Sequence, residues 1–129
     1  MKFVIQINTS PYHSQASYMA LQFAKAAFKE GHEVFRIFFY HEGIFNALRH
    51  STPLDDELNM TQQWSALAKY YQVDLVVCIS AAQRRGLLSS DESSRQGKVD
   101  NDLAEGFRIS GLGQWVEGTL LADRFLVFG

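Results

Sequence analysis

Asp74-Leu75-Val76-Val77-Cys78-Ile79-Ser80 is the stretch whose reading decides the fold. Leu75, Val76, Val77, Cys78 and Ile79 follow one another without the polar alternation of a strand that has one wet face. Such a run predicts a strand over 74–80 that is covered on both sides, the condition of a central strand in a parallel sheet. Upstream, Met60, Trp64, Leu67, Ala68 and Tyr71 share one face of a helix over 58–71, an apolar stripe that needs a sheet to cover. Further back, 34–40 reads as a second strand. His41, Glu42 and Gly43 then turn the chain, 44–48 forms a short helical piece and 50–56 an exposed loop. Ala16, Ala20, Phe23, Ala24 and Ala27 recur at helical spacing over 15–29, with Ser14 as the cap and Gly31 past the end. A first strand over 3–7 runs into Asn8, Thr9, Ser10 and Pro11, which are loop formers. Downstream, a helix begins at 81–88 and 89–102 is a polar, Ser-rich, acidic excursion. A short strand at 107–109, a helix over 112–121 and a last strand over 125–128 complete the chain. Strands alternating with helices define an α/β fold, a three-layer α/β/α sandwich on a mostly parallel, about five-stranded sheet.

The 129 residues are expected to form a single domain, 1–129, against roughly 100 to 200 residues per domain in general. Twelve Lys and Arg against fourteen Asp and Glu leave a formal charge of -2. That balance lacks the basic footprint needed to grip a phosphate backbone, so direct nucleic-acid binding is not expected. One cysteine, Cys78, excludes an internal disulfide and fits a reducing compartment. No apolar run approaches the roughly 18 residues of a membrane span, and the apolar start at Phe3 is too short for a signal-peptide core. A cytoplasmic protein without membrane association is expected.

In open α/β sheets ligands gather outside the carboxyl ends of the strands, which directs attention to 8–15, 40–44 and 78–86. Cys78 lies at such an end, with Arg84 and Arg85 six and seven residues further on. A following helix or nearby guanidinium groups favour the thiolate, the nucleophilic form of cysteine. The alternative is a small apolar filler among Val76, Val77 and Ile79. Arg84 and Arg85 before Gly86 suit a carboxylate, a phosphate or an anionic sulfur species, or else are ordinary surface charges. The loop over 9–15 sits where a flavodoxin holds phosphate. It has no glycine and carries Pro11, Tyr12 and His13, so close backbone approach to a phosphate is disfavoured. His13, His32, His41 and His50 are scattered, without metal-ligand spacing, and nothing marks His13 or His41 as a base for Cys78. No metal or organic cofactor is expected.

Three blocks together carry a resemblance: Phe38-Phe39-Tyr40-His41-Glu42-Gly43, Val76-Val77-Cys78-Ile79 with Ala81-Ala82-Gln83-Arg84-Arg85-Gly86, and Ser110-Gly111-Leu112-Gly113. They resemble the DsrE-like sulfurtransferases, in the branch that forms the D subunit of a bacterial sulfur relay. The resemblance implies that Cys78 is the persulfide carrier, with Arg84 and Arg85 as supporting residues on the same segment. It also implies a TusA-like sulfur donor, a TusE-like acceptor, and TusB-like and TusC-like sister subunits in a heterohexamer with two copies of each. The sulfur would serve 2-thiolation of the wobble uridine of transfer RNA. One departure is the first loop, with Ser10 and His13 where the family's pattern has glycine. A single cysteine agrees with a relay, because such a chain cannot resolve its own persulfide as a disulfide. Two alternatives stand beside this reading: a DsrE-type carrier in dissimilatory sulfur oxidation, and a noncatalytic assembly subunit.

Overall fold

The computed structural model describes residues 1–88 and 102–129. Strands β1 (Lys2–Ile7), β2 (Glu33–Phe39), β3 (Asp74–Cys78), β4 (Phe107–Ser110) and β5 (Arg124–Phe128) form one sheet in the order β4-β3-β2-β1-β5. Every pairing is parallel. The helices are α1 (Ala16–Lys29), α2 (Met60–Tyr71), α3 (Ile79–Arg84) and α4 (Gly113–Leu121), with a 3₁₀ segment at His41–Ala47. Steps from β1 to β2 and β2 to β3 go the same way, so right-handed crossovers lay α1 and α2 on one face. The return from β4 to β5 reverses direction and brings α4 to the other face.

Packing follows these two faces. On the first, Phe39 meets Trp64 of α2 edge-on at 5.6 Å, and Phe3 meets Phe23 of α1 at 5.2 Å. Ala20, Ala24 and Ala27 keep α1 close to the sheet and are buried there. Burying a large side chain such as Trp64 or Phe39 contributes on the order of 2–3 kcal/mol each. On the second face, Gly118 lets α4 settle onto β1, since a Cβ there would stand 3.3 Å from Val4 Cγ2. Trp115 Nε1 donates to Gln6 Oε1 at 2.6 Å.

The alternation read from the sequence is present, with corrections at several ends. The third strand stops at Cys78, and the helix expected from 81 begins at Ile79. The apolar run carried Ile79 into the strand reading, but its side chain is 42% exposed, because β3 loses its neighbours there: β2 pairs only as far as Val77 and β4 as far as Cys78. β3 is an interior strand, flanked by β2 and β4, while β2 holds the middle of the sheet. The short helical piece begins three residues earlier than expected, at His41. The residue before the first helix is Gln15, not Ser14, and its side chain makes no cap bond; Ser14, one position further out, accepts from Ala16 N through its Oγ at 3.3 Å. The excursion expected over 89–102 lies, except for Asp102, outside the described residues.

A charged cluster fastens α4 to the sheet. Arg36, almost fully buried, donates to Asp74 at 2.6 Å, to the Gln114 carbonyl at 2.8 Å and to Glu117 at 3.1 Å. Arg108 closes on the same carboxylate at 2.7 and 2.9 Å and reaches Gln114 Oε1 at 2.6 Å. Burial pushes the Asp74 carboxyl up, but hydrogen bonds from Arg108 and Arg36 and their positive charge outweigh it and hold the group below its ordinary value. A carboxyl held low in the folded state contributes stability that is present above its unfolded pKa and lost as pH falls through the folded one. Asp74→Asn is therefore expected to lower unfolding free energy by on the order of 2 kcal/mol at neutral pH, the scale of charge-assisted hydrogen bonds. In urea titrations the gap from the parent protein should narrow as pH drops below about 4. A gap that stays constant through the acid range overturns this account.

Candidate functional site

Cys78 ends β3 and opens α3 in a single residue. Its backbone is extended, with φ −64° and ψ 124°, and Ile79 begins the helix. The side chain is 0% exposed and the thiol is free. Its Sγ lies 3.4 Å from Ser80 Oγ, a hydrogen bond between two side chains at the start of α3. Ser110 of β4 stands opposite Cys78 in the sheet register. Neither His13 nor His41 hydrogen-bonds to the sulfur, so the structure supplies no cysteine–histidine pair from those two candidates.

The two arginines part company. Arg84 is exposed, whereas Arg85 turns back onto the protein. Arg85 donates to Glu42 Oε1 from Nε at 2.9 Å and from Nη2 at 2.8 Å, and from Nη1 to the Ala81 carbonyl at 3.1 Å. That forked contact ties the end of α3 to the 3₁₀ segment after β2. Glu42 is placed by Gly43, where a Cβ would fall 2.0 Å from the Ile7 carbonyl oxygen. No residue but glycine fits that approach, so the turn lies directly on the end of β1. His41, with φ +49°, adopts a left-handed conformation that costs a residue bearing a Cβ about 1 kcal/mol. Its ring packs on Tyr40 with centroids 4.1 Å apart.

A polar hub holds these loops together. Fully buried Asn46 donates to the Gly43 carbonyl at 2.9 Å, to Ser17 Oγ at 3.2 Å and to the Thr9 carbonyl at 3.4 Å. It accepts from Trp64 Nε1 at 3.0 Å, and Ser17 Oγ donates to the Thr9 carbonyl at 3.1 Å. The first loop, α1, the 3₁₀ segment and α2 are thereby fixed to one another. Beside this hub a cleft of about 380 Å³ is lined by Asn8, Thr9, Ser10, His13, Glu42 and Phe45. It occupies the place where the sequence suggested comparison with a phosphate loop. Among the described residues no three His, Cys, Asp or Glu side chains converge as metal ligands, and no helix is long and apolar enough to cross a membrane.

Sequence reasoning singled out Cys78, Arg84 and Arg85 as candidates and gave no role to Glu42, Ser80 or Asn46. In the sequence Glu42 reads as part of a turn, with nothing to connect it to Arg85, 43 positions away. A polar residue such as Asn46 inside a short helical stretch reads as surface until tertiary contacts bury it. Phe38, Phe39 and Trp64 are wholly internal and offer nothing to an interface.

Comparison with known proteins bears on this site. The protein named DsrE of Allochromatium vinosum is 53% identical over 129 residues, covering 100% of this chain and 99% of the relative. A sulfurtransferase TusD homolog of Vibrio parahaemolyticus is 41% identical over 128 residues, covering 99% and 98% of the two chains. Sulfurtransferase TusD of an Enterobacter species is 38% identical over 128 residues, covering 99% of this chain and all of the relative. Among solved structures, the ychN protein from E. coli superposes with a TM-score of 0.80 at 25% identity, covering 99% of each chain. The α/β architecture is thus shared, with its parallel five-stranded sheet. With the DsrE/DsrF-like family model matching residues 1–128 and relatives similar from end to end, this chain belongs to the DsrE/DsrF-like family.

Proposed function

We propose that Cys78 carries sulfane sulfur as a persulfide, taking it from one protein thiol and giving it to another. The activity class is that of the relatives, a sulfurtransferase working in a sulfur relay. One observation carries the assignment to Cys78: the chain's only cysteine stands where β3 gives way to α3, at the carboxyl edge of the sheet. In loading, the Cys78 thiolate attacks the outer sulfur of a donor persulfide. A bond forms between the two sulfurs, the donor's own sulfur–sulfur bond breaks, and the donor leaves as a thiolate that takes up a proton. Unloading repeats the exchange toward the acceptor. No electrons are gained or lost overall, so neither step requires a metal, a flavin or a nucleotide.

Because Cys78 is covered, a donor's sulfur reaches it only when α3 shifts from its seat. Arg85, bonded to Glu42, restrains that shift, and exposed Arg84 remains available to an acidic partner surface or to anionic sulfur. The finer reading assigns a TusA-like donor, a TusE-like acceptor and 2-thiolation of wobble uridine in transfer RNA, in the cytoplasm, with residues 1–129 as one sulfurtransferase domain. A second reading, a DsrE-type carrier in dissimilatory sulfur oxidation, is favoured by the 53% identity to the Allochromatium DsrE against 41% for the Vibrio TusD homolog. Both readings use the same thiol and the same exchange. Assembly with TusB-like and TusC-like sister subunits, two copies of each, is supported by the outer surface of α4 and β5. Leu112, Val116, Leu120, Leu121 and Val127 are all exposed there, Leu120 to 79%. Glu117, the one charged residue of α4, is engaged with Arg36, leaving a neutral apolar face suited to another subunit of the same fold.

Incubation with a persulfidated donor should raise the intact mass by about 32 Da, one sulfur, and Cys78→Ser should abolish the gain while its circular dichroism stays native. Mass gain that persists in the serine variant overturns the assignment. Arg84→Gln should slow loading several-fold at low ionic strength, with the difference closing as salt screens the charge. Arg85→Gln, which releases the tether to Glu42, should instead speed reaction of Cys78 with a small disulfide reagent. Rates equal to the parent's across salt return Arg84 to the role of a solvated surface charge. Co-expression with B-like and C-like partners should give a hexamer by light scattering, and Leu120→Glu should prevent it without affecting persulfide loading of the isolated chain. A hexamer that forms undiminished with that variant removes this face from the interface.

A further inference from the structure

Cys78 Sγ lies within hydrogen-bond distance of one side chain among the described residues, Ser80. A side chain at the residue preceding a helix ordinarily accepts from the backbone N–H two or three positions on, but the Cys78 sulfur makes no such bond. The Ser80 hydroxyl, two residues along the chain, takes that place at 3.4 Å. Cys78 is buried whereas Ser80 is exposed, so the hydroxyl stands at the boundary between the sulfur and water. The charged residues described on the elements packed around the sulfur are Arg84 and Arg85 of α3, His41 and Glu42 of the 3₁₀ segment, Glu33 and Arg36 of β2, and Arg108 and Asp74 of β4 and β3. Arg85 is engaged with Glu42, and Arg108 with Asp74 and Gln114. None of these makes the hydrogen bond to sulfur that Ser80 makes.

We propose that Ser80 is a catalytic residue of sulfur transfer, its hydroxyl donating a hydrogen bond to Cys78 Sγ whenever that sulfur is a thiolate. In the neutral pair either atom can donate, but a thiolate only accepts, so ionisation fixes the direction of the bond. The inference rests on the persulfide-carrier reading of Cys78 and assigns the group that supports it. The thiolate arises twice in one cycle. It is the nucleophile in loading, when its electron pair forms the bond to the donor's outer sulfur and the donor thiolate departs. It is the leaving group in unloading, when the acceptor thiolate bonds to the outer sulfur and the pair of the broken sulfur–sulfur bond returns to Sγ. A hydrogen bond to the charged form favours it in both steps. In loading the benefit is partly offset, because a less basic thiolate is a poorer nucleophile, with a slope of about 0.4–0.5. A tenfold gain in thiolate fraction then appears as about a threefold gain in loading rate. In unloading, a less basic leaving group departs faster, with no such offset.

The test uses the full chain as Ser80→Ala, Ser80→Thr, Cys78→Ser and the parent. Alanine is a better helix former than serine, so the exposed substitution preserves α3. The ultraviolet absorbance of the thiolate is followed against pH with the Cys78→Ser curve subtracted, which is unambiguous in a chain with one cysteine. Single-turnover loading from a persulfidated small thiol and unloading to a free thiol are followed by intact mass. In Ser80→Ala the thiolate signal at neutral pH should fall, because the hydrogen bond to the charged form is lost. Loading at neutral pH should slow about threefold, unloading should slow more, and Ser80→Thr should restore both. If the parent loads and Ser80→Ala titrates and transfers as the parent does, the role of Ser80 is overturned alone. If the parent takes up no sulfur, the carrier reading falls and the role of Ser80 falls with it.

Discussion

β3 is buried to its last residue, and the site depends on how that burial ends. Leu75, Val76, Val77 and Cys78 are covered on both faces because β2 and β4 pair along them while helices and the 3₁₀ segment close over the strand. Once the sheet partners stop, the chain turns straight into α3. The Cys78 sulfur is thereby held at the boundary between a rigid sheet and a helix of six residues, the shortest of the described helices. A short helix with few buried side chains is an element able to move at small cost, and Ala81 and Ala82 are the residues it buries.

Buried polar groups hold the loops at this carboxyl edge of the sheet. The Asn46 hub fixes four segments by hydrogen bonds whose partners come from Thr9, Ser17, Gly43 and Trp64. A buried amide is tolerated only when its bonds are made, so the hub sets the relative placement of the loops more sharply than packing alone. Gly43 adds a steric constraint, pressing the turn against the Ile7 carbonyl and setting Glu42 where Arg85 can meet it. At the opposite end of the sheet the cluster around Asp74 does the comparable work for α4. At the carboxyl edge an ion pair joins the packing of Ala81 and Ala82 in restraining α3.

This arrangement suits a carrier better than a hydrolase or a redox enzyme. Moving sulfane sulfur between thiols exchanges one sulfur–sulfur bond for another of the same kind, so the protein has little chemical work to supply. On the proposed reading its tasks would be to ionise one thiol, to shelter the persulfide from water and small thiols, and to admit a partner. A neighbouring hydroxyl, a covered cysteine and a short tethered helix would answer to those tasks in turn. The outer face of α4 and β5 is apolar, and Glu117, the charged residue of α4, is engaged with Arg36.

By itself the amino-acid order determined the alternation of strands and helices, the double burial of β3 and the candidacy of Cys78. Each of these is written in local periodicity: the unbroken apolar run through Val76 and Val77, the helical spacing of Ala20, Ala24 and Ala27, and a lone cysteine at a strand end. The boundary between β3 and α3 was misplaced by a few residues because Ile79 is apolar, and only the loss of sheet partners shows why it is exposed. Tertiary structure alone decided that Arg84 and Arg85, adjacent in sequence, have different surroundings, that Glu42 meets Arg85, and that Asn46 is buried. Those outcomes depend on contacts between residues dozens of positions apart. No local pattern encodes them, because a hydrogen bond needs its partner within about 3 Å, and only the folded sheet brings the partners there.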